Sequence, residues 1–204
     1  MKNIVIFGLG RSGTNSLAET LSVTTHQHYN YLKEYFSDKW ALDDDGQIVM
    51  PNTGSLDFDV KYQYIKNLST PWLFNCTPNS VNDRVLDLMI NCAATHLIVR
   101  ENLQEVFLSH ILAWFGDKFY GNQVRREPGS IWINQEMFDK YHAYYLKYQT
   151  ILGKIAPVQV IRYENCEFRS TQYHSKYNLH NKMDYIENQQ EVINFLSKLQ
   201  VGSY

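Results

Sequence analysis

The chain has 204 residues, 44% of them hydrophobic and 20% charged, a balance that fits one soluble globular domain rather than a disordered or fibrous protein. Nineteen Lys and Arg stand against 21 Asp and Glu, and the formal charge of −2 argues against bulk attraction to nucleic acid or to acidic membranes. Cys76, Cys92 and Cys166 make neither a disulfide framework nor a zinc pattern, and no apolar run reaches the ~18 residues of a membrane span, so a cytoplasmic, metal-free protein is expected.

The first element is Asn3 to Phe7, an uninterrupted apolar run that suits a parallel strand buried on both faces. It enters a glycine-rich loop, and Leu17, Ala18 and Leu21 then give the segment from Thr14 a helical period. Residues 26–71 are polar and aromatic, with turn signals at Asp43-Asp44-Asp45-Gly46 and Pro51-Asn52 and a short helix over Val60 to Leu68. A second strand spans Trp72 to Cys76. Ser80 is positioned to cap a helix from Val81 to Asn91, with Val81, Val85, Leu88 and Met89 inward. Thr95 to Val99 reads as a third strand ending at Arg100, and Asn102 opens a helix through Trp114. After a polar loop with Arg125 and Arg126 come a long helix over Trp132 to Leu152, a fourth strand over Val158 to Arg162 and a last helix over Tyr185 to Leu199. Strands alternating with helices predict an α/β fold with a mostly parallel central sheet flanked by helices, as one domain over residues 1–204.

The loop Gly8-Leu9-Gly10-Arg11-Ser12-Gly13 admits three readings. It matches G-x-G-x-x-G, but a dinucleotide fold needs a second strand ending in an acidic residue about 20 positions on. The segment leading to Glu34 is too polar to be a buried strand of that kind. It also nearly matches the phosphate loop of nucleotide triphosphatases, yet Thr14 replaces the lysine and Asn15 the magnesium-holding hydroxyl. What survives is a nest of backbone N–H groups at a helix N-terminus, joined by Arg11 and the hydroxyls of Ser12, Thr14 and Ser16. Such a loop holds an anion without a metal.

Phe7 to Leu17 resembles the 5′-phosphosulfate loop of sulfotransferases, where R/K-S-G-T-x-x-L opens the first helix. A second element agrees: Leu97-Ile98-Val99-Arg100-Glu101-Asn102-Leu103 is similar to the strand-closing arginine of bacterial sulfotransferases, with Ser109 nine residues on. Lys33-Glu34-Tyr35-Phe36 resembles the E-Y-F segment of the trehalose-type bacterial enzymes, and Val160-Ile161-Arg162-Tyr163-Glu164 resembles their fourth strand. The chain departs from relatives at Cys76-Thr77-Pro78, where many carry His or Lys, and it lacks the R-K-G-x-x-G donor loop of the cytosolic type. The resemblance implies a P-loop-like sulfotransferase fold and transfer of a sulfuryl group from 3′-phosphoadenosine 5′-phosphosulfate (PAPS) to a hydroxyl of a small molecule or carbohydrate. It implies a donor site of Gly10, Arg11, Ser12, Gly13, Thr14, Asn15, Ser16, Arg100 and Ser109, no metal, and Glu34 as base. The alternatives are a non-catalytic PAPS- or nucleotide-binding relative and a P-loop small-molecule kinase.

Arg11 suits the cation beside the bridging oxygen, because a guanidinium reaches phosphate and sulfate oxygens bidentately. Arg100 ends a strand at the edge where open parallel sheets bind ligands, with an ion pair to Glu101 or Glu105 as its ordinary reading. His26, His28, His96 and His110 are alternative bases to Glu34. Tyr141, Tyr144, Tyr145 and Tyr148 form an i, i+3, i+4, i+7 stripe that reads as packing first. Cys76 reads as a small buried residue. Lys176 and Lys182 are candidates to replace the missing donor loop, and 26–71 and 117–131 are the candidate acceptor and lid segments.

Overall fold

The computed structural model describes residues 2–24, 29–32, 36, 41–42, 48–49, 58–114, 128–166 and 182–199. Five strands make one all-parallel sheet: β1 (Asn3–Phe7), β2 (Asn30–Tyr31), β5 (Trp72–Cys76), β6 (Ala93–Val99) and β7 (Gln159–Arg162), in the order β2-β5-β1-β6-β7. A separate two-residue antiparallel pair joins β3 (Ala41–Leu42) to β4 (Ile48–Val49). The helices are α1 (Thr14–Thr24), α2 (Phe58–Asn67), α3 (Asp83–Asp87), α4 (Leu103–Trp114), α5 (Gln135–Leu152) and α6 (Gln189–Lys198). The expected α/β class with a parallel central sheet is therefore the one observed.

The apolar run of β1 is explained by its place at the centre of the sheet. Ile4 lies opposite Leu73 on one side and Ala94 on the other, so both strand edges are hydrogen-bonded and both faces are covered. Side chains then sort by period two. Ile6, Leu73 and Ile98 turn to α1, where Leu17 and Ala18 meet them. Val5, Phe7, Phe74 and Leu97 turn the other way into a larger core shared with α2 to α6, including Ile65, Val85, Phe107, Tyr141 and Val192. Cys76 is buried in that core, as its sequence reading has it.

The strand order also separates the readings of the loop. In a dinucleotide-binding fold the strand after the first helix lies beside the first strand. Here β5 intervenes between β1 and β2. The two-residue β2 pairs only with β5, at the sheet edge, which is why Asn30 and Tyr31 need no apolar periodicity.

Three boundaries differ from expectation for local reasons. The single helix expected over Val81 to Asn91 is instead the short α3 followed by a π-helical turn (Leu88–Cys92), with a 3-10 turn (Pro78–Ser80) before them. Asn82 rather than Ser80 is the cap, its Oδ1 accepting the Val85 N–H at 3.0 Å. Thr95 Oγ1 donates to the Met89 carbonyl at 2.9 Å, occupying an acceptor in the widened turn. The long helix starts at Gln135, because Asn134 caps it through the Met137 N–H at 3.0 Å. The last helix starts at Gln189, after a 3-10 turn over Lys182–Tyr185. Between these two starts the chain clasps itself: Ile131 bridges Ile186, and the Asn188 amide accepts the Ile133 N–H at 3.0 Å and donates to the Ile133 carbonyl at 2.8 Å.

Among the described residues, no helix is long and apolar enough to cross a membrane. Leu97 has no solvent exposure and fills the core between β1 and β7, so Leu97→Ala is expected to lower unfolding free energy by about 2–5 kcal/mol, read by urea denaturation.

Candidate functional site

β1 delivers the loop to the carboxyl edge of the sheet, where crevices form in open α/β folds. Leu9, Gly10, Arg11 and Ser12 close a turn, with the Ser12 N–H donating to the Leu9 carbonyl at 3.1 Å. Arg11, third in this turn, has φ 71°, while Gly10 has no positive φ, the pattern of a type II turn with arginine where glycine is usual. Left-handed backbone costs a side-chain-bearing residue roughly 1–2 kcal/mol, and such strain persists only where neighbours enforce it. Gly13 is also left-handed, at φ 92°. Two such residues leading into the N-terminus of α1 build the kind of concavity that gathers N–H groups around an anion.

The loop is packed without slack. A β-carbon added at Gly8 falls 2.7 Å from the Ile98 carbonyl oxygen, and one at Gly10 falls 2.8 Å from His110 Cε1 and 3.1 Å from the Tyr144 hydroxyl. At Gly13 it falls on the Tyr163 ring. The Gly10 N–H donates to the Tyr144 hydroxyl oxygen at 2.6 Å, a buried bond across 134 positions of sequence.

Arg11 is exposed at the turn, whereas Ser12 is buried, its Oγ donating to the Leu9 carbonyl at 2.5 Å. Thr14 and Ser16 are buried in the first turn of α1, and the Asn15 side-chain Oδ1 accepts from the Asn75 side-chain amide of β5. Arg100 comes to the loop: its Nη1 donates to the Arg11 carbonyl at 3.4 Å. Its guanidinium carbon lies 4.7 Å from the centre of the Tyr163 ring, a cation–π distance, and its Nε lies 3.9 Å from Glu164. Ser109 is buried on α4, three residues beyond Val106, which lines a cavity together with Arg100. Glu34, His26 and His28 lie outside the described residues, as do Lys176, Arg125 and Arg126.

That cavity measures about 360 Å³ and is bounded by Leu9 and Ser12 of the loop, Arg100, Tyr145, Tyr148 and Arg162. Its charges are largely matched. Arg162 pairs with Glu101 at 2.6 Å, and the Glu101 N–H donates to the same Glu164 carboxylate that faces Arg100. Lys182 pairs with Glu105 on α4, which ties it to that helix.

Of the alternative bases, His96 stands mid-strand beside Gln159, away from the loop, and burial lowers its pKa. His110 does reach the loop: its largely buried ring packs on Gly10 and makes edge contacts with Tyr141 and Tyr144. Burial, reinforced by the positive charge of Arg11, depresses its pKa to about 4. It is therefore neutral at pH 7 and belongs to the seat of the loop.

Tyr144, Tyr163 and Glu164 are site residues that sequence reasoning did not assign. Tyr144 was hidden in an apolar stripe that is indeed buried. Tyr163 follows Arg162, the end of a strand adjacent to the one that carries Arg100, and that adjacency was the available signal. No family model matches the chain, and no curated protein matches it.

Because the folded-state pKa of His110 lies below its ordinary 6.5, the folded form binds this proton less readily than the unfolded one. The associated stability is complete above about pH 6.5 and declines as pH falls toward about 4, by on the order of 3 kcal/mol. Thermal melts between pH 4 and 7.5 are expected to show this slope in the parent chain and a shallower one in His110→Gln. Gly13→Ala, which combines a forbidding φ with the Tyr163 ring, is expected to lower the melting temperature at every pH.

Proposed function

We propose that the chain is a PAPS-dependent sulfotransferase acting on a hydroxyl of a small molecule or carbohydrate. The observation that carries this reading is the approach of Arg100 to the loop, 3.4 Å from the Arg11 carbonyl, at the carboxyl edge of a parallel sheet. A ligand with anionic groups at two points, one for the loop and one for a strand-end guanidinium, is the kind such an arrangement serves. The motif resemblance supplies the donor's identity.

In this reading the N–H groups of Gly13 to Ser16 and the α1 terminus take the 5′-phosphate, and Arg100 with Ser109 takes the 3′-phosphate. The acceptor oxygen attacks sulfur in line with the bridging oxygen. The bond from sulfur to that oxygen breaks, and 3′,5′-adenosine bisphosphate leaves with the electron pair. Arg11 offsets the charge that develops there, and Glu34 takes the hydroxyl proton. The protein's share is positioning and electrostatics, with no metal required by these residues.

A small-molecule kinase is less well supported. Thr14 and Asn15 stand where the lysine and the magnesium-holding hydroxyl belong, and the Asn15 side chain is engaged by Asn75. A non-catalytic binding relative differs from the proposed enzyme only at the base. Turnover of Glu34→Gln against the parent chain separates them: the enzyme loses about 100-fold in rate, whereas a binding module shows no turnover before substitution.

Calorimetry tests the donor site. The chain is expected to bind 3′,5′-adenosine bisphosphate without magnesium, and tight ATP-magnesium binding without bisphosphate binding overturns the proposal. Arg100→Ala is expected to weaken the bisphosphate by about 10- to 100-fold, the worth of a charge-assisted hydrogen bond, and 5′-AMP far less. Equal losses for both ligands remove Arg100 from the 3′-phosphate.

A further inference from the structure

The peptide unit between Leu9 and Gly10 is held from both ends. Its carbonyl, on Leu9, accepts from the Ser12 N–H at 3.1 Å and from Ser12 Oγ at 2.5 Å. Its N–H, on Gly10, donates to the Tyr144 hydroxyl at 2.6 Å. The first pair of bonds lies within the turn, and a four-residue turn of its own accord prefers glycine or asparagine at the position Arg11 occupies. The Tyr144 bond comes from outside, from a helix 134 residues away. It is buried, so a Gly10 N–H deprived of it is left unsatisfied, at a cost comparable to the left-handed strain at Arg11.

The surroundings of Gly10 reinforce this. His110 and Tyr144 leave no room for a side chain there, so the turn rests directly on the His110 ring and the Tyr144 hydroxyl. α4 and α5 are fixed in turn by edge contacts of Tyr141 with Phe107 and His110, and by the tilted contact between Tyr141 and Tyr144. Tyr141 has no exposure, and its hydroxyl has no hydrogen-bond partner among the described residues, so the same helix supplies a matched ring whose hydroxyl does not hold the turn.

We propose that Tyr144 is the positioning residue of the anion loop: through the Gly10 N–H it holds the Leu9–Ser12 turn in the left-handed form that sets Arg11 outward beside the helix N-terminus. The inference rests on the donor reading above and adds to it a residue that touches no ligand. Tyr144 acts through Arg11, so its contribution to binding disappears once the Arg11 side chain is removed.

The experiment is a double-mutant cycle on the full chain, with 3′,5′-adenosine bisphosphate as probe, in the parent, Tyr144→Phe, Arg11→Ala and the double variant. Tyr144→Phe is expected to weaken the bisphosphate about tenfold. In the Arg11→Ala background the same change is expected to shift affinity less than twofold. Tyr141→Phe, the matched control, is expected to leave affinity unchanged, and thermal melts identify the temperature at which all variants are folded. Affinity of Tyr144→Phe within twofold of the parent overturns the positioning role, as do losses that multiply in the double variant, the mark of a general loosening. No bisphosphate binding by the parent overturns the donor reading itself and the positioning role with it, whereas parental binding with an unchanged Tyr144→Phe overturns the positioning role alone.

Discussion

Three glycines in the loop after β1 meet their neighbours at distances that no β-carbon tolerates, and the site depends on that lack of room. Gly8 lies against the backbone of β6, Gly10 against a histidine of α4 and a tyrosine of α5, and Gly13 against the ring that follows β7. Each contact reaches a different element of the fold. The loop is therefore the place where β6, α4, α5 and the end of β7 are brought to a common reference, and the backbone donors of α1 inherit their direction from it. A side chain at any of the three forces those elements apart or turns the loop away from the sheet edge.

Charge is arranged with the same economy. The chain is nearly neutral, and most of the cations described at the site have a carboxylate beside them. Arg162 faces Glu101, and Arg100 faces both the Tyr163 ring and the Glu164 carboxylate. Such pairing keeps a guanidinium in one orientation before any ligand arrives, at the cost of part of its attraction for an anion. The site therefore presents oriented donors: N–H groups, a helix terminus and arginines held by partners.

The elements of the fold most legible in the sequence were those with long runs of one period. β1, β5, β6 and β7 stand where apolar stretches predict strands, and the inward residues Val81, Val85, Leu88 and Met89 are buried although the helix expected to carry them is broken into α3 and a π-helical turn. Burial is dictated by composition at each position, whereas the exact winding is dictated by caps such as Asn82 and Asn134, which periodicity does not register. The edge strand β2 escaped because two residues make no pattern. In the site, Gly10, Arg11, Gly13 and Arg100 were legible because each is a residue type with one strong physical use at a strand end. Tyr144 was not, because a tyrosine in an apolar stripe looks the same whether its hydroxyl meets solvent or a backbone N–H 134 residues away.

The span of these contacts bears on how the chain comes to be. The glycine loop leaves the ribosome ahead of the groups that shape it, since Tyr144 and Tyr163 follow Gly10 and Gly13 by 134 and 150 positions. At about 5–20 residues per second, the loop is synthesised many seconds before the groups that shape it. A nascent chain ending before α5 already carries β1, β5, β6 and α4 but lacks two of the four elements that wall its glycines, α5 and the end of β7. Contacts of such sequence separation are closed late, after the entropy of a long loop has been overcome. The geometry proposed to receive an anion thus belongs to the folded domain, and a partly made or proteolytically shortened chain carries the motif without that geometry.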